Sequence, residues 1–298
     1  MICPACYSAN CYPVDSFSVT QPYTGFFPDT FNLYSCTGCG LWFKDYATRI
    51  LEVGKYYDGL KVFESNWNYQ QRLPHEKRID DLLAKLPPGS FVLDVGCWTG
   101  RLLSKHVHLQ RFGIEPNSVS AGIAESQGLK IIGSDVSSLN DFNKTFDLIL
   151  LIDVFEHLPH PLQILDLLIC RLNHNGKLII ITGRTDCVPV QLAKSTYWYF
   201  SKNSDHLVFL NHKFIKWLCK KYLGHSIRVK PVRHYNFRVK RFIYEIFWLV
   251  SWRFFNPNSP FKKIAFSKYG FLTRLSNVKE ITMCTNWKDH YMVEIYKL

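Results

Sequence analysis

Apolar and polar positions fall into a clear rhythm only after Pro74. From there, stretches with apolar residues spaced by three and four alternate with short continuous apolar runs. Glu76–Leu86 places Ile79, Leu82, Leu83 and Leu86 on one face and is stopped by Pro87-Pro88-Gly89, which predicts a helix. The pattern then predicts strand 91–95, helix 100–109, strand 111–115, helix 118–127, strand 130–133, strand 146–152, helix 161–172 and strand 177–182. Asn175-Gly176 supplies a turn before the last of these. Farther on, 212–223 reads as a helix, 226–233 as a strand and 290–297 as a final strand. Short apolar runs between amphipathic helices fit strands covered on both faces. The expected fold class is α/β, a doubly wound sheet, with its ligand beyond the carboxyl ends of the strands.

Before Pro74 the signal is cysteine spacing. Cys3-Pro4-Ala5-Cys6 and Cys36-Thr37-Gly38-Cys39-Gly40 are two C-x-x-C knuckles, with strand-like segments Phe17-Ser18-Val19 and Phe31-Asn32-Leu33-Tyr34 between them. Each knuckle can turn two thiolates toward one ion, and four sulfurs complete the closed tetrahedral cage that zinc favours. Cys3, Cys6, Cys36 and Cys39 are the expected ligands of a structural Zn2+; Cys11 falls outside the pairing. A chance pair of knuckles or a redox dithiol is the alternative. The chain thus divides into a small zinc-ribbon module at 1–45, a connector at 46–73 rich in aromatics (Tyr56, Tyr57, Trp67, Tyr69), and a large domain at 74–298. That domain carries a basic, aromatic insertion at about 236–285.

Charge refines this picture. The 298 residues carry a formal net charge of +12, yet residues 1–199 hold 17 Lys/Arg against 19 Asp/Glu, and residues 200–298 hold 19 against 5. A positive field confined to the last third attracts phosphates on nucleic acid, anionic lipid or substrate, or serves solubility alone. In the insertion, Arg238-Val239-Lys240-Arg241 precedes a helix-length aromatic run from Phe242 to Phe255. Such a segment suits peripheral membrane contact through 238–263, a buried helix over a pocket, a dimer contact, or RNA stacking. No leader pattern and no apolar run of ~20 residues is present, which predicts a soluble cytoplasmic protein, with the inner membrane face as a peripheral location. Thiols stay reduced there, so the ten cysteines are expected to be metal ligands or buried small hydrophobes.

The candidate chemistry arrives at successive strand ends. Asp94-Val95-Gly96 closes the first strand, and Gly100 opens the next helix, whose free N–H groups suit an anion such as a carboxylate. The spacing is G-x-x-x-G, not the pyrophosphate cradle G-x-G-x-x-G. Glu115 ends the second strand, where a carboxylate can bind both hydroxyls of a ribose. Asp135 follows the third, placed to accept from an adenine amino group. The fourth delivers Ile152-Asp153-Val154-Phe155-Glu156-His157-Leu158 to the same edge.

These blocks, with Gly113-Ile114-Glu115-Pro116, Phe146-Asp147-Leu148-Ile149 and Leu172-Asn173-His174-Asn175-Gly176-Lys177-Leu178, resemble the class I S-adenosylmethionine-dependent methyltransferases, which have a Rossmann-like fold. Val154-Phe155-Glu156-His157-Leu158 is similar to the V-x-E-H-L signature of the branch shared with quinone-biosynthesis methyltransferases. The C-x-x-C…C-x-x-C-G-L-x-F start is similar to that branch's zinc-ribbon members. The resemblance implies S-adenosylmethionine as cofactor, with Asp94, Gly96, Cys97 and Gly100 at its methionine end. It implies Glu115 at the ribose, Asp135 and Val136 at the adenine, and Asp153 near the sulfonium. Trp98 departs from the family, which usually has a second glycine there.

Methyl transfer is an in-line displacement that mainly requires positioning; a base is needed only for a hydroxyl nucleophile. His157 and His206 are the candidate bases, the latter within a Trp198…His206…Phe209 pattern similar to one in related enzymes. Either could instead only hold backbone in place. Glu156 is expected to fix the loop, and His106, His108, His160 and His174 to lie on the surface. The expected function is O-methylation of a small molecule, sugar or glycan, including a lipid-linked one. RNA methylation and a non-catalytic scaffold, the latter argued only from Trp98, are the alternatives, and an oligomer is open.

Overall fold

The computed structural model describes residues 1–18, 26–28, 30–47, 53–59, 73–193, 197–201, 203–255 and 287–298. Trp67 and Tyr69 of the connector, Val19, and the insertion beyond 255 lie outside them. The N-terminal strands β1 (Cys11–Ser18), β2 (Thr30–Cys36) and β3 (Trp42–Lys44) form an antiparallel meander. The connector contributes α1 (Val53–Asp58), and the large domain opens with α2 (Pro74–Leu83). Proline suits the first turn of α2, where its missing N–H would lack a helical partner anyway.

The main sheet is built from β4 (Phe91–Val95), β5 (Gln110–Ile114), β6 (Lys130–Gly133), β7 (Phe146–Ile152) and β8 (Leu172–Gly183), with α3 (Ser118–Ser126) and α4 (Pro161–Cys170) as crossover helices. After β8 come α5 (Val188–Ala193), α6 (Trp198–Ser201), β9 (Val208–Phe209), α7 (His212–Lys221), β10 (His225–Val232), α8 (Val239–Phe255) and β11 (His290–Lys297). The seven-stranded order is β10-β11-β8-β7-β4-β5-β6, parallel from β8 to β6, with β11 antiparallel to both its neighbours. This is the expected α/β architecture of a class I methyltransferase, and its order switches direction between β4 and β7. Leu148, Ile149, Leu150 and Leu151 of β7 are fully buried, as a central strand covered on both faces requires. Burial of each contributes about 2 kcal/mol.

β9 does not join the main sheet. It pairs antiparallel with β3, Trp42 opposite Phe209 and Phe43 opposite Val208, so the large domain supplies the fourth strand of the N-terminal sheet. Lys44, buried on β3, donates from Nζ to the carbonyls of Asn203 (2.6 Å) and Ser204 (3.4 Å) and lies 3.9 Å from the centre of the Phe31 ring. One apolar cluster runs from Cys36 and Cys39 through Leu41 and Phe43 to Leu207, Phe155 and Ile149. The N-terminal cysteine-knuckle segment and the main sheet therefore share a core.

Two local expectations are corrected. Residues 100–109 form successive turns, not a helix; the hydrogen bonds run Leu103 N to Gly100 O and Ser104 N to Gly100 O, then His106 N to Leu103 O. Too few residues separate Gly100 from β5 for several helical turns, and tertiary packing overrides the local pattern. Asn175-Gly176 does not precede β8 but sits inside it, with Asn175 at φ +62 and a register shift against β7. The extra residues are absorbed as a bulge. In α8, Glu245 and Leu249 are buried while Ile243 and Phe247 are exposed. Among the described residues, no helix is long and apolar enough to cross a membrane.

Candidate active site

The carboxyl ends of β4, β5, β6 and β7 bring Asp94, Glu115, Asp135 and Asp153 to one edge of the sheet. Asp94 is buried, and burial followed by the Glu115 carboxylate pushes it up to about 7. Gly96 follows at φ +72, and a Cβ there would meet Val154 Cγ2 at 2.6 Å, so only glycine lets β4 turn against the β7 loop. Its N–H donates to Ile114 O at 2.8 Å. Cys97 turns its buried thiol onto Gly113, where a Cβ would lie 2.5 Å from the sulfur. Only the Cys97 backbone therefore faces the loop, and burial raises the thiol pKa. Gly100 has φ +77 and packs against Ala124 and Leu129.

Trp98 adopts φ +50, a left-handed conformation that glycine takes without strain, which explains why the family usually has glycine here. Its N–H donates to Glu115 Oε2 at 2.8 Å, and Asn117 N–H donates to Oε1 at 2.9 Å. Burial raises the Glu115 pKa and these two donors oppose the rise. The carboxylate that is expected to meet a ribose is thus oriented by backbone. Asp135 is exposed and caps the 3-10 turn Val136–Leu139 by accepting from Ser137 N–H at 2.7 Å, while Val136 is buried. The end of α1 leans over this edge: Asn117 Nδ2 donates to Tyr57 O, and Ser118 N–H to Asp58 Oδ1.

On the other side of the edge, His157 and His206 stand with ring centres 4.8 Å apart. Tyr57 hydroxyl donates to Asp205 Oδ2 at 3.0 Å and lies 2.6 Å from His157 Nδ1, which is also 3.1 Å from Asp205 O. With its proton given to Asp205, the tyrosine oxygen is left to accept from Nδ1–H, which leaves Nε2 as the basic nitrogen. His206 is buried, its Nδ1 is 3.1 Å from Tyr199 O, and burial, then His157, holds it well below the ordinary imidazole range. Glu156 fixes the loop as expected: Oε1 accepts from Tyr199 hydroxyl (2.7 Å), Oε2 from Thr182 hydroxyl (2.8 Å), and its carbonyl from Leu207 N–H. His106 departs from its surface expectation; it is buried, 3.3 Å from Asp80 Oδ1.

Asp153 has φ +52, a strained conformation for a non-glycine residue. Burial, then Glu156, pushes its carboxyl up to about 8. Around it lie three histidines that sequence patterns did not single out: His75, His234 and His290, all buried. Burial holds His75 down to about 3 and His234 well below its ordinary value. For His290 burial also acts downward, but the Asp289 and Asp153 carboxylates outweigh it and the pKa rises. The only local sequence signal was Asp289-His290 at the start of a strand that runs backward, which brings it to the ligand edge. Tyr57, Asp205 and Tyr199 were also missed, since these pairings span 43 to 148 residues.

At the far end of the shared core the four knuckle cysteines meet. Cys3 Sγ is 3.6 Å from Cys39 Sγ, Cys6 Sγ is 3.5 Å from Cys36 Sγ, and all four sulfurs lie within 4.8 Å of one another. Contact with Cys39 lowers Cys3 to about 5; its partner Cys39 is raised, and burial raises Cys6 to about 11.

Over 115 residues the chain is 30% identical to the bovine (Bos taurus) protein named Probable tRNA methyltransferase 9B, a stretch covering 38% of this chain and 25% of that protein. The chain thus matches about a quarter of that relative's length. Among solved structures, it is similar to the plantazolicin methyltransferase BpumL in complex with a triazolic desmethylPZN analog and SAH, at 14% identity and TM-score 0.46, covering 85% of this chain and 88% of that one. It is also similar to coclaurine N-methyltransferase bound to N-methylheliamine and SAH, at 15% identity and TM-score 0.45, covering 74% and 72%. The family model described as a methyltransferase domain matches residues 67–222, from the connector to the end of α7. That span exceeds half the chain and contains the carboxyl ends of β4, β5, β6 and β7, so the protein belongs to the methyltransferase-domain family and has the class I methyltransferase fold.

Proposed function

We propose that the enzyme methylates a hydroxyl oxygen of a small molecule, sugar or glycan. The observation that carries this reading is the Tyr57–His157–Asp205 arrangement, which orients one half-buried imidazole with Nε2 as its base beside the β7 edge. An amine acceptor needs no such base at neutral pH once deprotonated, whereas a hydroxyl gives up its proton as its oxygen attacks. S-adenosylmethionine lies across β4 to β7, with Asp94, Gly96, the Cys97 backbone and Gly100 at the methionine end. Glu115 holds the ribose, Asp135 and Val136 the adenine, and Asp153 faces the sulfonium. His157 takes the proton while His206, neutral and tied to Tyr199, packs against it. The test is transfer of a labelled methyl group to a panel of hydroxyl acceptors, amines and tRNA. His157→Ala should lower kcat on the hydroxyl acceptor by about 10²–10⁴-fold, and unchanged turnover would remove the base. Methylation of tRNA alone would favour the reading suggested by the bovine relative's name and by the basic last third of the chain.

The N-terminal cysteines hold a structural zinc ion in this proposal. Tetrahedral thiolates bonded at ~2.3 Å stand about 3.8 Å apart, and the 3.5 and 3.6 Å sulfur contacts fit that cage. Four thiolates leave no open position, so the ion stabilises the β1–β3 turn region and takes no part in transfer. Chelation followed by metal analysis of the intact chain tests this.

A further inference from the structure

His75 comes from the first turn of α2, Asp153 from the end of β7, His234 from the segment after β10 and His290 from the start of β11. These distant segments converge at one point. His75 Nε2 is 3.9 Å and His234 Nδ1 3.7 Å from Asp153 Oδ2, and His290 Nε2 is 3.9 Å from Asp153 Oδ1. One donor atom each from His75, Asp153 and His234 lies within 4.8 Å of the other two. The separations exceed hydrogen-bond length. Both ring nitrogens of His75, Nδ1 of His234 and Oδ1 of Asp153 are buried with no hydrogen-bond partner. Each unpaired buried polar atom costs about 1–3 kcal/mol, and native structures rarely gather several in one place without something that pairs them.

A tetrahedral ion bonded to nitrogen and oxygen at ~2.0–2.1 Å sets its donor atoms about 3.3 Å apart. The observed 3.7 and 3.9 Å separations need a contraction of about half an ångström. Two imidazoles and one carboxylate suit zinc and neighbouring divalent metals. Asp289 Oδ1 lies 3.0 Å from His290 Nδ1 and fixes that ring, the carboxylate–imidazole support common around metal-binding histidines. His290 Nε2 faces Oδ1, the other carboxylate oxygen of Asp153, and stays outside the ligand set.

We propose that His75, Asp153 and His234 bind one divalent transition-metal ion, zinc in the first instance, with a coordination position left open toward the methyl-transfer edge. An ion there would hold the acceptor oxygen and ease loss of its proton. That role rests on the O-methylation reading; the metal site itself does not.

The test is metal content of the full-length chain after zinc loading and removal of free ion, compared with His75→Ala/His234→Ala. The double variant should lose one equivalent per chain relative to wild type, because metal on the cysteines is common to both. Equal content in the two would overturn the proposal. If circular dichroism shows the variant unfolded, proton NMR of the Co2+-loaded wild type decides. Hyperfine-shifted imidazole N–H signals that vanish in D2O are expected, and signals from cysteine methylenes alone would overturn it. One equivalent lost, with methyl transfer found only on amines, would retain the site and sink the hydroxyl reading.

Discussion

Asp94→Asn isolates what the buried carboxylate costs the empty enzyme. An unfolded aspartate titrates near 3.8, and in the fold burial and Glu115 raise Asp94 to about 7. As pH rises from 3.8 toward 7, the unfolded chain releases this proton while the folded chain keeps it, so stability falls through that window and is flat above it. At ~1.4 kcal/mol per pH unit, the full penalty above pH 7 is about 4 kcal/mol. Asparagine never ionises. The variant's stability advantage should therefore grow by ~1.4 kcal/mol per pH unit between pH 5 and 7 and level off by pH 8. Urea unfolding of both chains without cofactor, at half-unit pH steps, reads this directly. The same substitution should abolish the rise in Tm that S-adenosylmethionine gives the wild type, since the ligand's cationic methionine end compensates the charge. An advantage independent of pH between 5 and 8 would refute the account of Asp94 as a buried charge awaiting a cation.

Four further substitutions have outcomes set by local contacts. Cys39→Ser should abolish the proposed zinc binding and lower Tm by more than 10 °C, because structural zinc contributes on the order of 10 kcal/mol of binding energy; metal analysis and thermal melting check it. Lys44→Met removes the buried cationic donor that the Asn203 and Ser204 carbonyls share, leaving them the His206 N–H and the Tyr46 hydroxyl respectively. It should cost about 1–3 kcal/mol in urea unfolding. Gly113→Ala places a methyl 2.5 Å from Cys97 Sγ and 2.9 Å from Ile131 Cδ1. A loss of about 1–3 kcal/mol is expected, whereas Gly122→Ala, with nothing near its Cβ, should cost nothing or stabilise α3.

Where a segment's own pattern decided its structure, the sequence was readable. β4, β6, β7 and β11 span the residues their apolar runs mark, and each carboxylate arrives at its strand end. Residues 100–109 failed because an amphipathic spacing does not reveal that β5 begins before a helix can propagate. Asn175-Gly176 failed because a turn dipeptide and a bulge carry the same chemistry. The acceptor side was the least readable. Tyr57, His157 and Asp205, like His75, Asp153, His234 and His290, meet only through the tertiary fold, and no fixed spacing announces such contacts. Trp98 looked like a flaw until its φ showed that the position constrains backbone, with the N–H serving Glu115.

The pairing of β3 with β9 has a consequence for inheritance. β9 begins two residues after His206, so the N-terminal segment and the loop beside the proposed base share hydrogen bonds. Deleting the segment would strip β9 of its partner and open an apolar strand edge prone to sticking to other chains. Gene fusion could not attach or discard this ribbon as a loose appendage. A graft of this N-terminal sheet onto another methyltransferase should succeed only if the recipient brings its own β9.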